Sequence, residues 1–282
     1  MERTGLQRRA AIGECAGPPF TKTLAGHENH MAAGLNHLKE RCAGCDRQDV
    51  PMNKEHVFPR WLILRTGTDQ TGIRWGQKKG VPALAATFPL CEDCNAVFGR
   101  ELEGPTSRLF DEVEAGRGVS DDDAELLIRW MWKIKGLSWI ATHPGGRYTT
   151  KYTLRERVLL PIDNIRGRLI LRLALVSGLH PDSKDLPMGI DSVTEHDAIF
   201  VSGVFSRIAA MVVLDEFVSM VPPEFGRYRL ASRRHQTHAA KLFHPPSSFR
   251  DDVEAVGLTW TASMALSRAH DKFAQRLQST AG

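Results

Sequence analysis

Between Ser120 and Thr142 apolar residues return every three or four positions, at Leu127, Trp130, Ile134, Leu137 and Ala141. That period marks one face of an α-helix. Ser120 suits the N-cap, and Asp121, Asp122 and Asp123 suit the positive end of the helix dipole. Pro144 and the Gly145-Gly146 turn end the pattern. Trp130, Trp132 and Trp139 are expected to fill the core or a groove rather than to stack on bases. Lys133 and Lys135 are expected to face solvent. Further on, "RLILRLALV", "AIFVSGVF" and "RIAAMVVLD" are short and β-branched and read as strands. "YTLRERVLLP" carries a capping box at Thr153 and Glu156. A last helix is expected from about Thr259 to Leu277, burying Leu266, Ala269, Phe273 and Leu277. The fold class is α+β.

The first part of the chain is patterned differently. Residues 1–37 hold no sustained period and are rich in Gly, Ala and His, and they are expected to be disordered. "LAATFPLC", Leu84 to Cys91, reads as a strand. "CNAVFGRELEG" reads as a helix that stops near Gly104, with Pro105 able to start another. The polar, glycine-rich stretch Gly67 to Gly80 reads as a hairpin or loop. The organisation expected is a segment 1–37, a unit 38–115 and an accessory α+β domain 116–282. Residues 145–282 carry no motif.

Composition adds limits. The chain has 282 residues, 42% hydrophobic and 25% charged, as an ordinary soluble globular protein has. No apolar run approaches the ~20 residues of a membrane span, and no signal-peptide pattern opens the chain. A cytoplasmic protein without membrane contact is expected. Residues 1–80 carry a surplus of five basic side chains, residues 81–150 a deficit of four, and the remainder a surplus of three. A basic first third suits a polyanionic partner, and equally an ordinary solvated surface.

Of five cysteines, four form two C-x-x-C pairs, Cys42/Cys45 and Cys91/Cys94, and Cys15 stands apart. In a long chain without a leader pattern, metal ligation is the better reading than disulfides. Two such turns set four sulfurs at the corners of a tetrahedron, which zinc prefers. Forty-five residues separate the pairs, more than a zinc ribbon needs. That insert holds Glu55-His56, and Asn95 follows the last cysteine. A carboxylate and a carboxamide supply oxygen ligands for a hard cation, and an imidazole supplies a base with a pKa near 7. By contrast, His235 and His238 form an isolated H-x-x-H with no third ligand in sight.

With C-A-G-C at 42–45, E-H-V-F-P at 55–59 and L-C-E-D-C-N at 90–95, the chain resembles the HNH endonucleases, the ββα-metal nucleases. The match covers residues 42–104, and a weaker one extends through "LLIRWMWKIKG", where related sequences carry a Trp-x-x-Lys helix. The resemblance implies a ββα-metal module stapled by a structural Zn²⁺ on the four cysteines. It implies His56 as general base, Glu55 and Asn95 as ligands of a catalytic Mg²⁺ or Mn²⁺, and hydrolysis of DNA leaving 5′-phosphate and 3′-hydroxyl ends. The sequence departs from the family at two places. The asparagine that usually orients the histidine is replaced in the region Ala85, Ala86, Thr87, where Thr87 or a backbone carbonyl is the candidate substitute. Gly99 stands where some members add a metal ligand. Glu103 lies two turns past Asn95 and is read as a solvated charge or a water-mediated contact. Arg60, with Lys54, is a candidate phosphate contact. The alternative is a catalytically inactive zinc-binding module that binds nucleic acid.

Overall fold

The computed structural model describes residues 41–72, 82–142, 152–159, 169–179, 188–192, 200–214, 218, 221, 223–227, 229–232, 242–259 and 261. The expected disordered segment, most of the polar stretch to Gly80, the turn at Gly145-Gly146, the His235/His238 pair and the apolar positions of the last helix lie outside these residues.

The first unit is a hairpin and a helix. Strand β1, Met52–His56, runs antiparallel to β2, Thr87–Cys91. A short helix α1, Arg60–Thr66, and a single turn α2, Thr68–Thr71, follow β1. A 3-10 turn, Ala83–Ala85, leads into β2, which is therefore shorter than its apolar run. Cys91 ends β2 and caps the next helix, its Sγ accepting the backbone N–H of Cys94 at 3.4 Å.

The helix expected to stop at Gly104 does not stop. Helix α3, Glu92–Phe98, passes through a π turn, Gly99–Glu103, into α4, Gly104–Glu114. Gly104 keeps right-handed helical angles, φ −62 and ψ −49. Pro105 cannot donate and would clash with the preceding turn of a regular α-helix. The wider π turn directly upstream is where that misfit is absorbed.

Helix α5, Asp121–Thr142, forms as its period predicts. Ser120 Oγ accepts the Asp123 N–H at 3.2 Å, and the Asp123 carboxylate accepts the Ser120 N–H and hydroxyl at 2.8 and 2.7 Å. Burial alone would raise the Asp123 carboxyl, but these bonds and Arg117 hold it below its usual range. Its contribution to stability is therefore present above the ordinary carboxylate range and fades as pH falls through the lowered value. Ser120→Ala is expected to cost about 1 kcal/mol, read as a Tm lower by a few degrees. An unchanged Tm would show that the cap contributes nothing.

Helix α6, Leu154–Leu159, opens on the expected capping box, with the Thr153 N–H and hydroxyl bonded to Glu156 at 2.7 and 2.8 Å. The second sheet is six-stranded. Its order is β4, Met188–Ser192; β5, Phe200–Phe205; β6, Ile208–Leu214; β3, Leu169–Gly178; and β7, Arg229–Ser232. Strand β8, Ser247–Asp251, pairs with β3 in parallel. Residues 252–259 are helical, ahead of the expected start at Thr259.

Alternation explains why the strands read as continuous apolar runs. Leu169, Leu171 and Leu173 of β3, with Ile208, Ala210 and Val212 of β6, join the core shared with α5. Ile170, Ala174 and Val176, with Ala209, Met211 and Val213, join a second core with Phe225, Phe249 and Ala255. Both faces of the sheet are covered, so neither side of a strand needs polar residues. The first core runs without a break from Cys42 to Val212. An aromatic chain crosses it, Trp61 to Phe110 at 5.2 Å, Phe110 to Trp130 at 5.5 Å and Trp130 to Phe205 at 4.9 Å between centroids. Trp130 and Trp132 are core residues, as expected. No helix among the described residues is long and apolar enough to cross a membrane.

Candidate functional site

The two C-x-x-C turns meet at the base of the hairpin. The four sulfurs of Cys42, Cys45, Cys91 and Cys94 all lie within 4.8 Å of one another. Cys45 Sγ is 3.7 Å from Cys91 Sγ, close to the roughly 3.8 Å edge of a tetrahedron built on Zn–S bonds of about 2.3 Å. Backbone N–H groups of Gly44 and Cys91 point at Cys42 Sγ, at 3.3 and 3.2 Å. The Cys42 thiol is pulled well below its ordinary value, first by its hydrogen bond with Cys94 and then by these amides, against the effect of burial. The same hydrogen bond, with burial, pushes the Cys94 thiol up, so Cys42 carries the charge of this pair and Cys94 the proton that a metal on all four sulfurs would displace. Four cysteines at this spacing could bind a structural zinc, and their geometry fits the ion.

Charge around the sulfurs completes the fit. Zn²⁺ on four thiolates leaves roughly two negative charges. Arg47 donates to Cys45 Sγ at 3.2 Å and to Cys91 Sγ at 3.4 Å. Arg155 donates to Cys94 Sγ at 3.7 Å, and its backbone N–H donates to the Gly44 carbonyl at 2.8 Å. Asp93 receives both guanidinium groups, Arg47 at 3.0 Å. Second contacts of this kind fix thiolate ligands in place. Neither arginine was anticipated. Arg47 stands two residues past Cys45, a signal available in the sequence, whereas Arg155 is 61 residues from Cys94 and carried none.

The hairpin carries Glu55 and His56 at the end of β1. His56 pairs directly with Thr87 and Glu55 with Phe88, and the Val57 N–H donates to the Ala86 carbonyl at 2.9 Å. Successive strand residues face opposite ways. Glu55 therefore shares the inner face with buried Phe88, and half-buried His56 shares the outer face with Thr87 and exposed Lys54. Thr87, the candidate orienting residue, is thus placed across from the imidazole, although no hydrogen bond engages the ring among the described residues. Asn95 is half-buried in the first turns of α3, directly after the cysteine cluster. Arg60 is exposed at the start of α1.

Lys133 corrects the reading of α5. It is fully buried, not solvent-facing, and Lys135 is half-buried. The Lys133 ammonium contacts Glu103 Oε1 at 2.5 Å and is in direct contact with Glu55 Oε1. Its Nζ also lies 5.5 Å from the Phe98 ring centroid. Glu103 is correspondingly not a solvated charge. Its Oε2 accepts the indole N–H groups of Trp61 at 2.9 Å and Trp130 at 3.1 Å. Burial by itself would push the Lys133 ammonium down, but the Glu103 and Glu55 carboxylates more than offset it and hold it above its usual value. A signal for Lys133 existed, since three residues after Trp130 and four before Leu137 is the apolar stripe itself.

Among the described residues, the four cysteines form the one group of histidine, cysteine or acidic side chains at metal-ligand spacing. Glu55 is engaged by an internal cation, Lys133. Comparison with protein-family models, with curated proteins and with solved structures returns no match.

Proposed function

We propose that the chain is an HNH-type endonuclease that hydrolyses DNA phosphodiester bonds, with His56 as general base. The observation that carries this reading is the order of parts around the histidine. Glu55-His56 ends the first strand of an antiparallel pair, and the second strand passes through Cys91 into the helix that bears Asn95. A cysteine cluster fit for zinc closes the base of the same unit. The order supports the reading, since the resemblance implies two paired strands followed by a helix, here with α1 and α2 inserted between the strands.

Within this reading His56 takes the proton of the attacking water, a role that needs a base able to exchange protons near neutral pH. Lys54, on the face of β1 that carries His56, and Arg60, at the start of α1, are exposed and hold backbone phosphates. In the family's pattern a divalent cation would supply charge to stabilise the leaving 3′ oxygen. Because Glu55 is held by Lys133 in this chain, we assign no step to such a cation.

The test is nicking of supercoiled plasmid with Mg²⁺ or Mn²⁺ by the full chain and by His56→Ala. Loss of about 10²–10⁴-fold in rate is expected in the variant, with zinc content and Tm unchanged. Equal cleavage by both proteins would remove His56 from the reaction. A second reading, a zinc-binding module that holds nucleic acid without cutting it, is favoured by the Lys133–Glu55 contact. It predicts DNA retention and no cleavage by either protein.

A further inference from the structure

The two carboxylates around Lys133 are unequally committed. Glu103 receives three donors, the ammonium and two indole N–H groups, and is fixed by residues of α1 and α5. Glu55 has Lys133 as its one side-chain partner among the described residues. The two carboxylates are about equally exposed, 14% at Glu55 and 13% at Glu103, whereas Lys133 is closed off at 0%, so it is the number of donors that sets them apart. Glu55, which precedes His56 on β1 and faces the other way, keeps a little exposure while its inner side is covered by a positive charge. A dication placed on the same carboxylate would sit against that ammonium and be repelled by it.

We propose that Lys133 is the resident cation of Glu55, so that a divalent metal reaches this carboxylate only in competition with an internal lysine. The inference rests on the nuclease reading of this unit and makes Lys133 a positioning residue of Glu55, on the face of β1 opposite His56. It holds the Glu55 carboxylate in one place and keeps it from being a free metal ligand. A purely structural polar core makes the opposite forecast. In that case removing Lys133 loosens the site and weakens any metal binding, whereas removing a competitor tightens it.

Lys133→Met combined with Glu103→Gln tests this without changing the net charge of the cluster. The lysine and one carboxylate disappear together, and Glu55 alone remains charged. Binding of Mn²⁺ to the zinc-loaded full chain is followed by electron paramagnetic resonance of the free ion. The double variant is expected to bind Mn²⁺ at least about tenfold more tightly than the wild type, and adding Glu55→Gln is expected to remove the gain. An affinity equal to or weaker than the wild type, in a variant that keeps its zinc and a cooperative melt, overturns the proposal. Should the double variant not fold, the single change Glu55→Gln in the otherwise native chain decides. Here Mn²⁺ affinity within about twofold of the wild type is expected, because the carboxylate is already taken. A tenfold loss would show Glu55 ligating metal with Lys133 in place. The measurement reads the metal rather than cleavage, so it stands or falls apart from the nicking assay.

Discussion

Cys94→Ser is expected to lose stoichiometric zinc and to melt the unit built on the hairpin. The side chain is fully buried, and serine nearly preserves its volume, so ligation rather than packing is what changes. Structural zinc contributes on the order of 10–16 kcal/mol in small zinc modules. That matches or exceeds the 5–15 kcal/mol by which whole domains are stable. Without the ion the thiolates of Cys42, Cys45 and Cys91 would repel one another or take up protons, and Arg47 and Arg155 would face a weakened anion. Zinc per chain, measured by a colorimetric chelator, is expected to fall from one to near zero, and thermal unfolding to lose cooperativity in its first part. Retention of one zinc per chain, or a melt within about 1 °C of the wild type, would refute a structural role for the ion.

The second large effect is expected at Glu103. Glu103→Ala leaves Lys133 with only Glu55 and leaves the indole N–H groups of Trp61 and Trp130 without an acceptor. Removing one partner of a buried ion pair costs about 3–5 kcal/mol, because the remaining charge stays out of water. In a domain of this size that is on the order of 10 °C in Tm. Glu103→Gln keeps an oxygen for the indoles and should fall between the two. The ammonium's raised value sets the sign with pH. Its stabilising contribution is complete below the ordinary lysine range and is lost as pH climbs through the raised value. The gap between wild type and Glu103→Ala should accordingly hold through neutral pH and close in strong alkali. A change of less than 1 kcal/mol at pH 7 would mean that water reaches the ammonium.

These two sites differ in how far the sequence announced them. The cysteine spacing announced a four-cysteine cluster able to bind zinc, since two C-x-x-C turns have few other uses, and the structure brings the sulfurs together. The helix at Asp121–Thr142 and the strands Leu169–Gly178, Phe200–Phe205 and Ile208–Leu214 followed from period and β-branching. Lys133 lies on the apolar stripe of the helix, where a lysine's charge argues for solvent, and position prevails because two carboxylates meet it there. Glu103 was misplaced for a different reason. Nothing local says that a π turn will precede Pro105 or that two tryptophans, 42 and 27 residues away, will supply its donors. Arg155 belongs to the same class, because its partner is set by tertiary packing alone. Local pattern reports local structure well; the partners of buried charges are a long-range property that no window of sequence contains.

The aromatic chain from Trp61 through Phe110 and Trp130 to Phe205 has a practical consequence for dissecting the protein. A fragment ending at Ala115 would keep the hairpin and the cysteines but discard α5 and the sheet. The indole of Trp61 and the ring of Phe110 would then lie against water, and Glu103 would lose Lys133 and the Trp130 N–H. Arg65 would also lose Ser206, which it reaches at 3.3 Å. Such a fragment would carry the motif residues and an open apolar wound, and it would self-associate rather than report on the histidine.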